Sequence, residues 1–283
     1  ALATAGALAV TLADAADDPV LEPGPGETPL WRANRVIGLF PGSSDPALLQ
    51  AALATAWPGP LPPLVLRPLA EQEWARAWME RFRPMRFGRH LWVVPSTHAA
   101  PTGAAVSLRL DPGLAFGTGT HPSTALCLEW LDAAELGGAR VLDYGCGSGI
   151  LAIAAALLGA REVVAVDNDP QALVATRENA ARNGVADRIR VLPADAPGLA
   201  GADVVVANIL ASVLAALAPR LTALVRPGGR LVLAGILAPQ AAQVRAAYAP
   251  ACAFGATAER DGWARLEARC SAPGGEAPPP RGG

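Results

Sequence analysis

The chain has 283 residues, 52% hydrophobic and 17% charged, which supports a sizeable core and excludes general disorder. Its formal net charge is −2 and all 23 Lys and Arg residues are Arg. That balance gives no overall pull toward nucleic acid, and the lack of lysine removes P-loop and Schiff-base chemistry. In chain order, the apolar first ten residues lack a basic leading segment and run into Asp14, Asp17 and Asp18, unlike a signal peptide. The opening on Ala1 rather than Met points to a missing N-terminal piece. Gly6–Ala13 and Arg35–Phe40 read as strands, and Leu64–Pro68 as a third. Between them, Ser44 and Asp45 can cap a helix running to Trp57, with Pro46 near its start. Strand, strand, helix, strand is four of the six elements of a ferredoxin-like β-α-β-β-α-β unit, here without its opening strand and helix. A helix is expected over Glu71–Phe82, where Trp74, Trp78 and Phe82 repeat every four residues as a stripe for packing against a neighbouring domain.

From Leu91 the pattern changes. Strand-like runs at 140–143, 162–167, 189–192, 203–208 and 230–234 alternate with helical segments at 150–158, 170–183, 212–225 and 239–248. Continuous apolar strands separated by amphipathic helices predict a doubly wound α/β sheet covered on both faces. Segments 252–258 and 263–270 can close it as an antiparallel pair, and the Pro/Gly-rich residues 271–283 read as a disordered tail. The longest apolar run, Ile150–Ala160, is too short to span a bilayer. Cys127, Cys146, Cys252 and Cys270 lack metal-ligand spacing, so no metal site and no disulfide framework is expected, and reduced thiols fit a cytoplasmic protein.

Four motifs carry chemistry. Asp143-Tyr-Gly145-Cys-Gly147-Ser-Gly149 lies between a strand and a helix, where an open α/β sheet binds its ligand. Its glycines admit close backbone approach, and the helix start favours an anionic group. A dinucleotide fingerprint needs another glycine where Ile150 stands. Asp167 ends the next strand, 22 residues after Gly145, where a carboxylate can hold both ribose hydroxyls of a nucleoside. Asn208 ends the fourth strand, and its amide oxygen can accept from an amine nucleophile. Such an amine must first shed a proton, since an ammonium of pKa about 10.4 has no lone pair to attack a methyl group. The glycine-rich stretch 110–124 reads as a loop covering a cofactor, with Thr124 reaching it from the following helix. His121 in that stretch is a candidate general base, set against a structural role before Pro122.

In this order the motifs LDPGLAFGTGTHPST (110–124), VLDYGCGSGILAIAA (141–155), VDNDPQAL (166–173) and DVVVANILA (203–211) resemble the ribosomal protein L11 methyltransferase family. Glu73-Trp74, Trp78-Met79 and Pro84–Gly88 are similar to that family's linker. The resemblance implies a class I S-adenosylmethionine-dependent enzyme with a seven-stranded doubly wound sheet. It also implies a small ferredoxin-like domain that recognises L11, here N-terminally incomplete. The implied divisions are 1–69 for recognition, 70–88 as linker, 89–270 as the methyltransferase domain and 271–283 as tail.

Carried over by residue, Thr124, Gly145, Gly147, Asp167 and Asn208 would contact S-adenosyl-L-methionine, and Asn208 would orient the amine. The expected reaction is N-methylation of lysine and α-amino groups of ribosomal protein L11 in the cytoplasm, without direct nucleic-acid or membrane partners. Two alternatives stay open: a methyltransferase of another protein or small amine, and a non-catalytic nucleoside-binding module.

Overall fold

The computed structural model describes residues 1–16, 30–69, 82–111 and 119–271, and the chain forms two compact units, Ala1–Glu73 and Trp74–Gly283. The expected helix over 71–82, apart from Phe82, lies outside the described residues. So do the tail beyond Ser271 and residues 112–118 of the covering loop.

In the first unit β1 (Ala9–Asp14) and β2 (Asn34–Leu39) pair antiparallel, Ala9 opposite Leu39 and Asp14 opposite Asn34. Helix α1 (Pro46–Ala56) begins where the Asp45 carboxylate accepts the Ala47 and Leu48 N–H groups at 2.7 and 3.3 Å. The third expected strand does not form. Leu64–Pro68 is irregular, and Leu64, Val65 and Leu66 are exposed. Pro62, Pro63 and Pro68 lack the N–H a ladder needs, so the apolar run there attracts no partner strand. Of the described ferredoxin-like elements, two strands and one helix remain.

The second unit opens with a small sheet, β3 (Met85–Phe87), β4 (Leu91–Val94) and β5 (Val106–Arg109), in the order β3-β4-β5. Phe87, Leu91, Val93 and Leu108 pack into one core with helix α2 (Pro122–Ala133) and helix α3 (Ile150–Leu157). The Asp132 carboxylate of α2 accepts the Arg89 and His90 N–H groups and fixes the turn between β3 and β4.

The central sheet comprises β6 (Arg140–Tyr144), β7 (Glu162–Asp167), β8 (Ile189–Pro193), β9 (Ala202–Asn208), β10 (Val225–Leu237), β11 (Cys252–Phe254), β12 (Ala258–Arg260) and β13 (Trp263–Cys270). The order is β11-β13-β10-β9-β6-β7-β8, with β12 beside β13. Strands β6 to β10 are mutually parallel, while β13 runs antiparallel to β10 and β11 antiparallel to β13. Successive residues alternate between two cores. Val141, Val163 and Val204 face α2, α3 and helix α4 (Pro170–Arg182). Leu142, Val164 and Val205 face helices α5 (Ala211–Ala216), α6 (Ala218–Leu224) and α7 (Ala241–Tyr248). The single helix expected over 212–225 is therefore two, because Pro219 cannot donate inside a continuous helix.

The cysteine reading needs correction. Cys252 and Cys270 lie directly opposite across β11 and β13 and form a disulfide, while Cys127 and Cys146 are free and buried. Their 18-residue separation carries no motif, and only strand register brings them together. Closing a loop of that length stabilises by roughly 3 kcal/mol through the unfolded state. Replacing both cysteines by alanine should lower the melting temperature in the absence of reductant and leave it insensitive to dithiothreitol. Identical reductant response in both proteins would show that the bond is not formed in solution.

Candidate active site

Sheet order sets the site. Strands β6, β7 and β8 progress one way from the centre and β9 and β10 the other, so the crevice opens between β6 and β9. Along this carboxyl edge the chain places Ala194 after β8, Asp167 on β7, Gly145 after β6, Asn208 on β9, Gly235 on β10 and Trp263 at the start of the reversed β13. All six line one cavity of about 590 Å³. Thr124, Gly147 and His121 line it too, so every site residue named from the sequence is brought to the same place.

The glycine loop is held from beneath by α4. Thr176 Oγ1 donates to the Gly147 carbonyl at 3.0 Å, and Asn179 Nδ2 donates to the Ser148 carbonyl at 2.9 Å. Gly149 caps α3 with φ of 80°, and a Cβ there would come within 2.8 Å of Thr176 Cγ2. The Gly147 N–H donates to Asp167 Oδ2 at 2.9 Å, and the Asp169 N–H to Asp167 Oδ1 at 3.0 Å. Each carboxylate oxygen keeps a second lone pair for a ligand hydroxyl. Asn183 of the next segment bonds both the N–H and the carbonyl of Arg109, at 2.7 and 2.8 Å, and so anchors the chain where the covering loop begins.

Asn208 Nδ2 donates to the buried Thr124 Oγ1 at 3.1 Å. That bond holds the amide nitrogen and leaves Oδ1 as the side chain's acceptor. His121 is the N-cap of α2. Its Nδ1 accepts the Ser123 N–H at 3.3 Å and lies 2.8 Å from Ser123 Oγ. Burial lowers its pKa, so the ring is neutral near pH 7 with its proton on Nε2. The nitrogen a general base would use is committed to the helix start.

A family model described as "Ribosomal protein L11 methyltransferase (PrmA)" matches residues 1–271. The ribosomal protein L11 methyltransferase of Pseudomonas aeruginosa (strain LESB58) is 58% identical over 271 residues, covering 95% of this chain and 92% of that protein. Its counterpart in Azotobacter vinelandii (strain DJ / ATCC BAA-1303) is 57% identical over 265 residues, covering 93% and 90%. The crystal structure of ribosomal protein L11 methylase from Lactobacillus delbrueckii subsp. bulgaricus gives a TM-score of 0.62 at 33% identity, covering 68% of this chain and 100% of that one. The chain belongs to the ribosomal protein L11 methyltransferase family. It is a class I methyltransferase, and its cofactor is S-adenosylmethionine.

In this L11 methyltransferase family member, sequence reasoning missed Gly235, Ile209 and Trp263. Gly235 has φ of 79°, and a Cβ there would strike the Ile209 backbone, with the carbonyl carbon at 2.9 Å and the nitrogen at 3.0 Å. A Cβ on Gly145 would strike the Ile209 side chain. Both glycines let the turn after Asn208 settle between β6 and β10. Gly235→Ala should therefore displace that turn at a cost of roughly 1–3 kcal/mol. Lower melting temperature together with weaker S-adenosylhomocysteine binding is the expected pair of readings. Lost stability with unchanged affinity would separate the turn from the cofactor.

Asp143 lies beneath the loop, fully buried, with Oδ2 accepting the Ala152 N–H at 3.0 Å and Oδ1 unpartnered. Burial, opposed by that bond and reinforced by the charge of Asp167, pushes its pKa up to about 7. The folded chain thus binds this proton more tightly than the unfolded one. The stability contributed by Asp143 falls as pH rises from the ordinary carboxylate range to about 7 and is level above it. Asp143→Asn cannot ionise, so wild type should lose melting temperature relative to the variant between about pH 4.5 and 8. A constant gap across that range would mean the carboxyl is already ionised at its low end.

Proposed function

We propose that this chain transfers methyl groups from S-adenosylmethionine to lysine side chains and α-amino groups of ribosomal protein L11. The carrying observation is the cavity itself, which places a carboxylate on β7 and an amide acceptor on β9 on opposite sides of a bare glycine turn. The residues fit the cofactor. The cavity volume of about 590 Å³ lies in the range of small-molecule sites. Gly145 and Gly147 line the cavity with backbone alone, so a ligand can approach the loop closely. When bound, S-adenosylmethionine supplies an electrophilic methyl group.

Asp167 accepts the ribose hydroxyls, Gly145 and Gly147 bring backbone to the amino-acid end, and Thr124 fixes Asn208. Asn208 Oδ1 accepts from the incoming amine and aims its nitrogen. Ile209, Leu210, Val213 and Leu217 give the cavity apolar walls. Such surroundings disfavour the charged ammonium and lower the amine's pKa, which helps supply the neutral nucleophile. Positioning and exclusion of water then account for the rate.

Residues 1–69 supply L11 recognition, 70–88 the connection, 89–270 the chemistry and 271–283 a tail. Val10, Leu12, Val36, Ile37 and Leu39 of β1 and β2 are exposed apolar residues that support this division. Among the described residues no helix is long and apolar enough to cross a membrane. We place the protein in the cytoplasm with newly made ribosomal proteins, acting without direct nucleic-acid contact.

Recombinant L11 should take up radiolabelled methyl groups from this enzyme, and L11 with its lysines replaced should retain label only at the N-terminus. Unlabelled L11 alongside labelled small amines would reject the substrate. Asp167→Asn should weaken S-adenosylhomocysteine binding about ten- to a hundredfold, the effect of losing charge-assisted hydrogen bonds worth about 1.5–3 kcal/mol. Calorimetric titration checks this, and unchanged affinity would place the ribose elsewhere.

A further inference from the structure

We propose that Trp263 is the wall against which the acceptor's cationic nitrogen rests, and that it lets the site hold an already methylated amine as well as a primary one. This rests on the methyl-transfer reading and goes beyond it by naming the surface that recognises the acceptor group. The spatial order along the carboxyl edge divides the cavity. Ala194 and Asp167 close the β8–β7 end, which takes the nucleoside. Asn208, Gly235 and Trp263 form the β9–β10–β13 end, which is left for the acceptor.

The lining of this end suits a cation. Strand β10 separates β9 from β13, with Asn208 opposite Ala234 and Trp263 opposite Leu237, and both residues line the same cavity. Gly235 lies between them and puts no side chain into the gap. A nitrogen held about 3 Å from Asn208 Oδ1 shares this cavity with the indole, and cation–π attraction acts within about 6 Å of an aromatic ring. His121 buttresses the indole edge-on, with ring centroids 4.4 Å apart and planes at 72°. It is itself fixed by Ser123. A neutral imidazole there adds no charge to repel a cation.

The chemistry explains why an aromatic wall and not a second carboxylate suits this place. In each transfer the amine lone pair forms the C–N bond while the methyl–sulfur bond breaks and leaves its pair on sulfur. The nitrogen becomes cationic, and it must lose a proton to water before it can attack again. Every round removes one N–H that Asn208 could accept from, yet the product nitrogen still carries its charge on release. An aromatic ring attracts that charge without needing any N–H. A carboxylate would instead hold the ammonium in its unreactive protonated form.

The test pairs two probes with two variants. Choline carries a trimethylammonium group without N–H, and 3,3-dimethylbutan-1-ol is its neutral carbon analogue. With S-adenosylmethionine saturating, choline should inhibit L11 methylation by the wild-type chain in competition with L11, and the alcohol should not. Trp263→Leu should lose that discrimination and lower kcat/KM for L11 roughly tenfold to thirtyfold, with S-adenosylhomocysteine affinity within about threefold of wild type. Trp263→Phe should restore most of both. Products should shift toward monomethylated lysine in Trp263→Leu. Equal inhibition by the two probes on wild type overturns the proposal even if the leucine variant fails to fold. Unchanged L11 kinetics and product distribution in a folded Trp263→Leu overturn it as well. Failure of the wild-type chain to bind S-adenosylhomocysteine removes the underlying reading and this inference together.

Discussion

Ile209 occupies the point where three parallel strands end, and the site depends on how closely it can approach its neighbours. Its side chain takes the space beside Gly145 that a Cβ would need, and its backbone takes the equivalent space beside Gly235. Two glycines on β6 and β10 thereby let the turn after β9 sit low in the crevice. Asn208 precedes that turn, so its amide reaches Thr124 on α2 instead of standing away in solvent. The glycine loop needs the same closeness from below, where Thr176 and Asn179 bond its carbonyls. Steric permission, more than any single attraction, gathers the polar groups into one cavity.

Much of this was legible because its signals are local. The glycine loop, the acid ending β7 and the Asn ending β9 each follow an apolar run, and a run that feeds a parallel sheet ends at the ligand edge by topology. The parallel strands between 140 and 234 could be read for the same reason, since burial on both faces demands unbroken apolar residues. Gly235 and Trp263 were not legible. Their meaning depends on β10 lying between β9 and β13, and no feature of either residue's neighbours in sequence announces that order. The Cys252–Cys270 bond failed for a related reason, because it is a fact of register between an edge strand and its partner.

The first unit shows the opposite limit. The apolar run in Leu64–Pro68 looks like a strand, but a strand exists only through a partner, and the prolines around it withhold donors. Strands β1 and β2 did form, yet they leave apolar side chains in solvent on both faces, and Leu53 of α1 is the buried apolar residue among those described before residue 70. A two-stranded sheet buries too little to be stable alone. Propensity was enough to predict the pair, and nothing local could predict how little it would cover.

The catalytic end of the cavity is notable for the bases it denies the substrate. His121 Nδ1 is turned into the start of α2, and Asp167 already accepts two backbone N–H groups. Asp143 is buried below the loop with a carboxyl pushed up to about 7 and does not line the cavity. Asn208 can accept a hydrogen bond but cannot take a proton. Among the described residues, then, proton loss from the amine falls to the medium. Water need only receive the proton as the amine enters, provided the pocket makes the neutral form cheap. The apolar walls of Ile209, Leu210, Val213 and Leu217 do that by withholding solvation from the charged form. A base fixed in the pocket would add a counter-charge that favours the ammonium when ionised, working against the same walls. Apolar walls around a neutral amide acceptor are thus a consistent solution for methylating an amine, because they favour the lone pair at the place where the methyl group is presented.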